Sequence, residues 1–445
     1  MPIRSCRIRR YFSGWRRLLT AFLIGSLSPY GSGAAACPGF RMMHQVPLKQ
    51  RWTLPRSNLH LFAFRPDWPG RWVQLPLQLD PLDEEGGLLF PEDKDWMKKP
   101  IVPFDRLTFF TKQFGPKFDG KGAGPCQSTN VVELDAPGGF AYLASCPEAF
   151  VPKDFTDPVT LQEKDRMVTA KYYRYHYSER NHLVFDAIHL ADPAFQTFHP
   201  VASQSDLLIV GDVKNFFTLH FDSEDIDAFI SSKRSGDMGL MGGLKFYLRI
   251  LYFKIKMSLM PEVNFFDDSV FMPMILTLPV NAKKYLRRGS GIYYTWLGDK
   301  DTEWLWDASE LENLDLQVLN PDFEGSARMP SEKYCDRSKC RYKILGRNHG
   351  RLFALHFEIS RKAAELGFFP RLIRDMPAVE KMIKHPVSRY PAQNRIGVYF
   401  ETAQMPEGEH TWDFWIHFPE QEKDNCKVNV RARFLARAPS SMEKK

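Results

Sequence analysis

Along its last third the chain alternates apolar and polar residues with a period of two. Trp412, Phe414, Ile416 and Phe418 fall on one side of an extended segment. Val428, Val430, Ala432 and Phe434 oppose Lys427, Asn429, Arg431 and Arg433, and Ile396, Val398 and Phe400 repeat the pattern. Such alternation belongs to antiparallel strands with one buried and one solvated face. The three segments are expected to close the chain as one sheet.

The same signal runs upstream. Segments 167–177 and 182–190 flank Ser-Glu-Arg-Asn and read as a hairpin. Further strands are expected at 206–210, 216–221, 291–297 and 352–358. Ser269–Leu278 is almost continuously apolar, as in a strand covered on both faces. Helices are expected in four places, 242–260 among them. Asp222 precedes Glu224, Asp225 and Asp227, carboxylates that suit a helix N-terminus; segments 360–366 and 378–384 carry short helical patterns.

The fold class expected is therefore mainly β (β-rich α+β), with antiparallel sandwich-like sheets, a few inserted helices and two or three domains. Residues 37–165 form a Pro- and Trp-rich β region and 166–318 a central β domain. A linker at 319–333 leads to a C-terminal β domain at 334–438 and a tail at 439–445. With 445 residues, 44% hydrophobic and 25% charged, the composition excludes collagenous, disordered and polytopic membrane proteins.

Residues 1–36 hold six arginines and no acid, then an apolar run at 18–27, then small residues ending at Ala36. These are the parts of a secretory signal, and the run is shorter than the ~20 residues that span a bilayer. Cleavage after Ala36 is expected, with a transit peptide as the alternative. Arg9-Arg10 resembles part of a twin-arginine signal, with Ile8 where Ser or Thr belongs. Cys37 stands where a lipoprotein would be acylated, which would tether the protein to an outer membrane. The expected location is exported: periplasmic, secreted or envelope-associated. The net charge is +7, and the six arginines account for all but +1 of it. The remainder lacks the basic footprint that nucleic acid requires.

Cys6 leaves with the leader and six cysteines remain. Folding 127–145 as a hairpin about Asp135-Ala-Pro-Gly-Gly139 sets Cys126 opposite Cys146. Cys335 and Cys340 enclose a four-residue polar loop that a bridge would staple. Cys37 and Cys426 form the remaining pair, or stay as one lipidated and one free thiol. An even count of cysteines fits disulfides in an oxidising compartment.

No HExxH, GxSxG, P-loop or complete dinucleotide fingerprint occurs, and no cofactor is implied. Asp299, Asp301, Glu303, Asp307 and Glu310 have the spacing of a calcium loop, but Trp304 replaces the glycine at position 6. The bland alternative is a turn into a helix. Segment 242–260 places Lys245, Arg249 and Lys256 on one face of a helix, either lying on lipid or packed across a sheet with its lysine stems extended. Trp415 and His417 point away from Trp412 on the last sheet. Arg431 and Arg433 would join them if the next strand pairs there. That face either binds a sugar or anionic polymer or is covered by the helices at 360–384.

The primary reading is a non-catalytic binding or scaffolding protein that recognises a glycan, lipid or envelope polymer through aromatic and basic sheet faces. One alternative is an extracytoplasmic polysaccharide hydrolase or lyase using paired carboxylates. The other is a lipid-binding protein using 242–260.

Overall fold

The computed structural model describes residues 41–45, 56–67, 71–81, 98, 105–120, 123–127, 131–136, 139–147, 149–151, 153, 155, 158–192, 197–214, 216–250, 253–256, 262–278, 281–305, 316, 334–373, 375–388, 394–418 and 431–435. Cys37, Cys426 and the segment read as a leader lie outside them.

The protein is mainly β. Its first large sheet has nine strands. Eight run in the order β23 (Arg371–Ile373), β24 (Arg395–Glu401), β19 (Gly291–Gly298), β12 (Phe198–Asp212), β11 (Phe185–Ala191), β10 (Tyr173–Tyr177), β9 (Met167–Ala170) and β8 (Val159–Gln162). The ninth, β13 (Thr218–Phe221), pairs with the C-terminal end of β12. The second large sheet also has nine. Its order is β14 (Ile226–Gly236), β15 (Gly239–Ile250), β17 (Glu262–Phe266), β18 (Ser269–Leu278), β25 (Gly408–His417), β22 (Arg351–Ser360), β21 (Lys339–Asn348) and β20 (Thr302–Leu305), with β16 (Phe253–Lys256) beside β15.

Two smaller sheets are built from the strands that precede them in the chain, joined by one strand from its end. One runs β1 (Arg41–Gln45), β5 (Arg106–Phe110), β4 (Gln78–Asp80). The other runs β26 (Arg431–Leu435), β6 (Val131–Ala136), β7 (Gly139–Ser145), β2 (Leu59–Phe64), β3 (Trp72–Leu75). Three short helices are described: α1 (Ala282–Tyr285), α2 (Arg361–Glu365) and α3 (Met376–Ile383).

The large sheets pack face to face because their alternating strands must bury one face each. Tyr294 of β19 meets Phe414 of β25 at 5.6 Å between ring centres, and Tyr173 stacks on Phe418 at 4.6 Å. The first sheet is covered on its outer side as well. There α3 lays Met376 and Val379 on Tyr293, Tyr399 and Val210. Asp375 caps α3 by accepting a hydrogen bond from the Ala378 amide, and Ser360 caps α2 through the Ala363 amide. The two small sheets form a second sandwich, with Leu79, Leu107 and Phe109 against Leu61, Leu134 and Leu143.

Cys126 and Cys146 are bonded, as are Cys335 and Cys340, at the pairings hairpin geometry predicts. The first bridge ties together the two ends of the β6–β7 hairpin, beside Phe118 and Phe150, which pack against Phe62, Phe64 and Tyr142 of the five-stranded sheet.

Four expectations are corrected. The last three strands do not form one sheet: β24 lies in the first large sheet, β25 in the second, and β26 pairs with β6. Each alternates correctly, but alternation does not name the neighbour. The boundary at 319–333 separates no sheets, since β19 pairs with β24 and β18 with β25 across it. Asp222 opens a turn, not a helix: its carboxylate accepts from the Glu224 and Asp225 amides, as a cap would, and the chain then enters β14. Within segment 242–260, the described residues 242–250 and 253–256 are not helical but belong to β15 and β16. Leu244 and Phe246 point into the core while Lys245 stays exposed. A four-residue spacing such as 245/249 satisfies both a helical face and a strand face, so the cations could not tell them apart.

Candidate functional site

The residues singled out from sequence fall in separate places. Arg431 and Arg433 pair in register with Asp135 and Glu133 of β6, while Trp415 and His417 sit between β18 and β22. The expected Trp–His–Arg face therefore does not form. Of the calcium-type spacing, Asp299, Asp301 and Glu303 are among the described residues. Thr302–Leu305 is extended and hydrogen-bonded to β21, which sends neighbouring side chains to opposite faces. Asp301 lies 3.9 Å from His349 and Glu303 3.5 Å from Arg347. Asp307 and Glu310 are outside the described residues. Among the described residues, no group of three or more His, Cys, Asp or Glu is placed to hold a metal ion. Lys245 and Arg249 lie on the outer side of β15, and Lys256 pairs in register with Tyr247. Arg249 lies 3.4 Å from Asp227.

Trp415 is engaged by protein rings. Phe271 stacks on it at 4.0 Å and His417 lies parallel at 5.5 Å. Neither helix at 360–384 covers it: α2 packs into the inner core and α3 on the other sheet.

Beside Trp415 the outer face of the second sheet carries a charged network. Glu358 of β22 is directly opposite Asp413 of β25, and Arg341 of β21 is opposite Glu358. Lys339 forms an ion pair with Glu358 and lies 3.7 Å from Asp413. Arg341 bridges Glu358 at 3.2 Å and Asp336 at 2.8 Å. Loss of water pushes the Asp413 carboxyl up to about 6; Lys339 opposes this and Glu358 adds to it. The Ser338 and Lys339 amides, helped by Arg341, hold Asp336 well below the usual range. Burial drives His356 far down, so its ring is neutral at pH 7. One carboxyl that holds its proton up to about pH 6 beside a second carboxylate is a combination hydrolysis in mildly acid conditions can use. Glu358 and Lys339 escaped sequence reasoning because strand register, not chain proximity, delivers them to Asp413.

A second feature lies between the large sheets. Register aligns Phe221, Ile209, Ile292 and Phe400 across β13, β12, β19 and β24. The facing sheet contributes Met272 and Met274 of β18 and Trp412 and Phe414 of β25. Between these rows is a cavity of about 30 Å³ with an almost wholly apolar lining. Its polar group, the Tyr294 hydroxyl, donates to the Leu183 carbonyl at 2.7 Å. Toward the end of the sandwich the inward positions become Leu276 and Leu278 on β18 and Leu219 on β13. Leu276 and Leu278 are half-buried, and Leu219 is 37% exposed. The apolar interior thus continues to a partly open edge. Hydropathy could not reveal this crevice, because an inward residue at an open end has the same strand pattern as a covered one.

No protein-family profile matches the chain, and no curated protein is significantly similar to it.

Proposed function

We propose that the protein is an exported, non-catalytic binding protein that takes the apolar chain of a lipid or lipid-bearing polymer between its two large sheets. The observation that carries this reading is the apolar cavity under Met272 and Met274, continued along β18 by the half-buried Leu276 and Leu278. Each methylene buried there contributes about 0.8 kcal/mol. The methionines are unbranched and can repack around a chain larger than the resting cavity. The crevice supplies no nucleophile or acid: its tyrosine hydroxyl is already bonded to the backbone. Export is supported by the arginine-rich leader and by two disulfides.

A fluorescent fatty acid titrated into the protein should bind saturably. Met274→Trp, which fills the cavity, should weaken binding by on the order of tenfold or more, about 1.4 kcal/mol. Leu276→Ser should do so without added bulk, which separates loss of binding from loss of folding. Absence of saturable uptake by the parent protein overturns the reading. Mass determination of exported protein should give an N-terminus at Cys37.

The shift at Asp413 opposite Glu358 favours a second reading, a polysaccharide hydrolase. Release of reducing ends that Asp413→Asn and Glu358→Gln both abolish would support it; no release from acidic and neutral polysaccharides would dismiss it.

A further inference from the structure

We propose that the end of the sandwich formed by Val213, Lys214, Phe216, Phe217 and α1 is a membrane-docking surface that seats Phe216, Phe217 and Tyr285 in an anionic phospholipid surface. These three side chains are 80%, 55% and 51% exposed. Large apolar residues are mostly buried, so three aromatics outside the core at one end of a molecule need a partner.

The surface is built rather than frayed. The Phe216 amide donates to the Val213 carbonyl at 3.1 Å, and the Val213 amide donates to the Phe217 carbonyl at 2.8 Å, which holds both phenylalanines at a tight tip. The tip is tied to α1 by the Lys214 amide on the Tyr285 carbonyl and the Arg287 amide on the Asp212 carbonyl, each at 2.8 Å. The Lys214 ammonium reaches the Lys283 carbonyl at 2.6 Å, and Asn281 caps α1 by accepting from the Lys283 amide.

Charge names the occupant. Lys214, Lys283 and Lys284 are exposed around the aromatics, and Arg287 is half-buried beside them. Asp212, a carboxylate beside them, accepts from the Thr218 hydroxyl at 3.3 Å, and Glu401 is buried and lies 3.6 Å from Arg371. The acidic turn at 222–225 lies at the opposite end of β13. Aromatic side chains ringed by lysine suit a bilayer interface, where rings enter the headgroup layer and ammonium groups meet lipid phosphates. A neutral protein groove would leave those ammonium groups without counter-charge. Leu219, at the crevice edge, is two residues from Phe217. Docking would therefore bring the crevice to the lipid. Only that last step rests on the function proposed above.

The test is flotation of the full chain with vesicles of phosphatidylcholine containing phosphatidylglycerol, and with phosphatidylcholine alone. Binding should require the anionic lipid and weaken as salt rises. The double variant Phe216→Ser/Phe217→Ser should reduce partitioning by on the order of tenfold at an unchanged unfolding midpoint, since both rings are exposed. Lys283→Glu/Lys284→Glu should remove the anionic preference. The emission of Phe217→Trp should shift to the blue on vesicles. Partitioning that the double serine variant leaves unchanged overturns the proposal. So does a dimer in solution that the same variant dissolves, which would make the surface a contact between copies. Met274→Trp separates the two proposals: it should weaken fatty-acid uptake as above and leave flotation intact.

Discussion

The guanidinium of Arg106 in the three-stranded sheet reaches the carboxylate of Glu262 in the second large sheet, Nη1 to Oε1 at 2.6 Å, with both side chains buried. The same guanidinium lies 3.5 Å from Asp80, and Arg234 lies 3.3 Å from that aspartate. Burial works against the Arg106 charge, but Glu262 and Asp80 outweigh it and raise its pKa. The pair thus pins the small sandwich to the large one. Arg106→Ala leaves Glu262 buried without its cation and Asp80 with Arg234 alone. It should lower the unfolding free energy by about 3–5 kcal/mol in urea titrations. Arg106→Met with Glu262→Gln should cost less than the two single changes together, since the charges are removed as a unit. A loss of the size seen at an exposed pair would show that water reaches the cluster.

The two disulfides should differ in worth. Cys126–Cys146 closes 20 residues and Cys335–Cys340 only five. Chain-entropy arguments give about 3 and about 2 kcal/mol respectively. Cys126→Ala/Cys146→Ala should show the larger drop in unfolding midpoint. It should also expose the Phe118–Phe150 layer, which limited proteolysis would detect. Equal drops would mean that the longer segment is held by its aromatic packing alone.

Much of this architecture is legible in residues read one strand at a time. Ser269–Leu278 is covered on both sides in its first half, with Met272 in the main core and Phe271 against Trp415, as its unbroken apolar run requires. The 127–145 hairpin is legible because turn residues and flanking strand formers are contiguous. What is not legible is partnership. Nothing in 428–434 says that β26 returns to β6, some 300 residues earlier, instead of joining β25. The candidate sites depend on partnership throughout. Glu358 meets Asp413 through register, and the crevice draws its edge from β13 and β18, two strands of different sheets.

His182 should make the protein acid-sensitive. Its Nδ1 accepts a hydrogen bond from the Ile230 amide at 2.9 Å, and its own amide donates to Ala228 at 2.6 Å. These contacts join the β10–β11 connection to β14 at one edge of the sandwich. Burial, with Arg166 adding, pushes its pKa down to about 4. The unfolded chain therefore takes up a proton first as pH falls below about 6.5, and stability from this group is lost between pH 6.5 and 4. His182→Asn keeps an acceptor without a titrating ring, so it should flatten that part of the profile. Melting temperatures recorded from pH 7 to pH 4 would show the difference, and a parallel pair of curves would refute the assignment.

Asp413 acts with the opposite sign over an overlapping range. Its folded pKa, about 6, lies above the ordinary aspartate value, so the folded state binds the proton more tightly. That contribution is full below the ordinary value and is lost as pH rises toward 6. Asp413→Asn removes the cost of holding a charge beside Glu358 where water is scarce. It should raise the melting temperature at pH 7.5 and leave it unchanged near pH 4, where the parent residue is already neutral. Lys339 sets the limit of the gain, because its ammonium favours the ionised form and would keep only Glu358 as a partner. The double variant Asp413→Asn/Lys339→Met should therefore lose the gain, by leaving Glu358 to Arg341 alone. A melting temperature for Asp413→Asn below that of the parent at pH 7.5 would mean that the ionised aspartate is held by Lys339 as a structural ion pair, and the acid–base reading of this face would go with it.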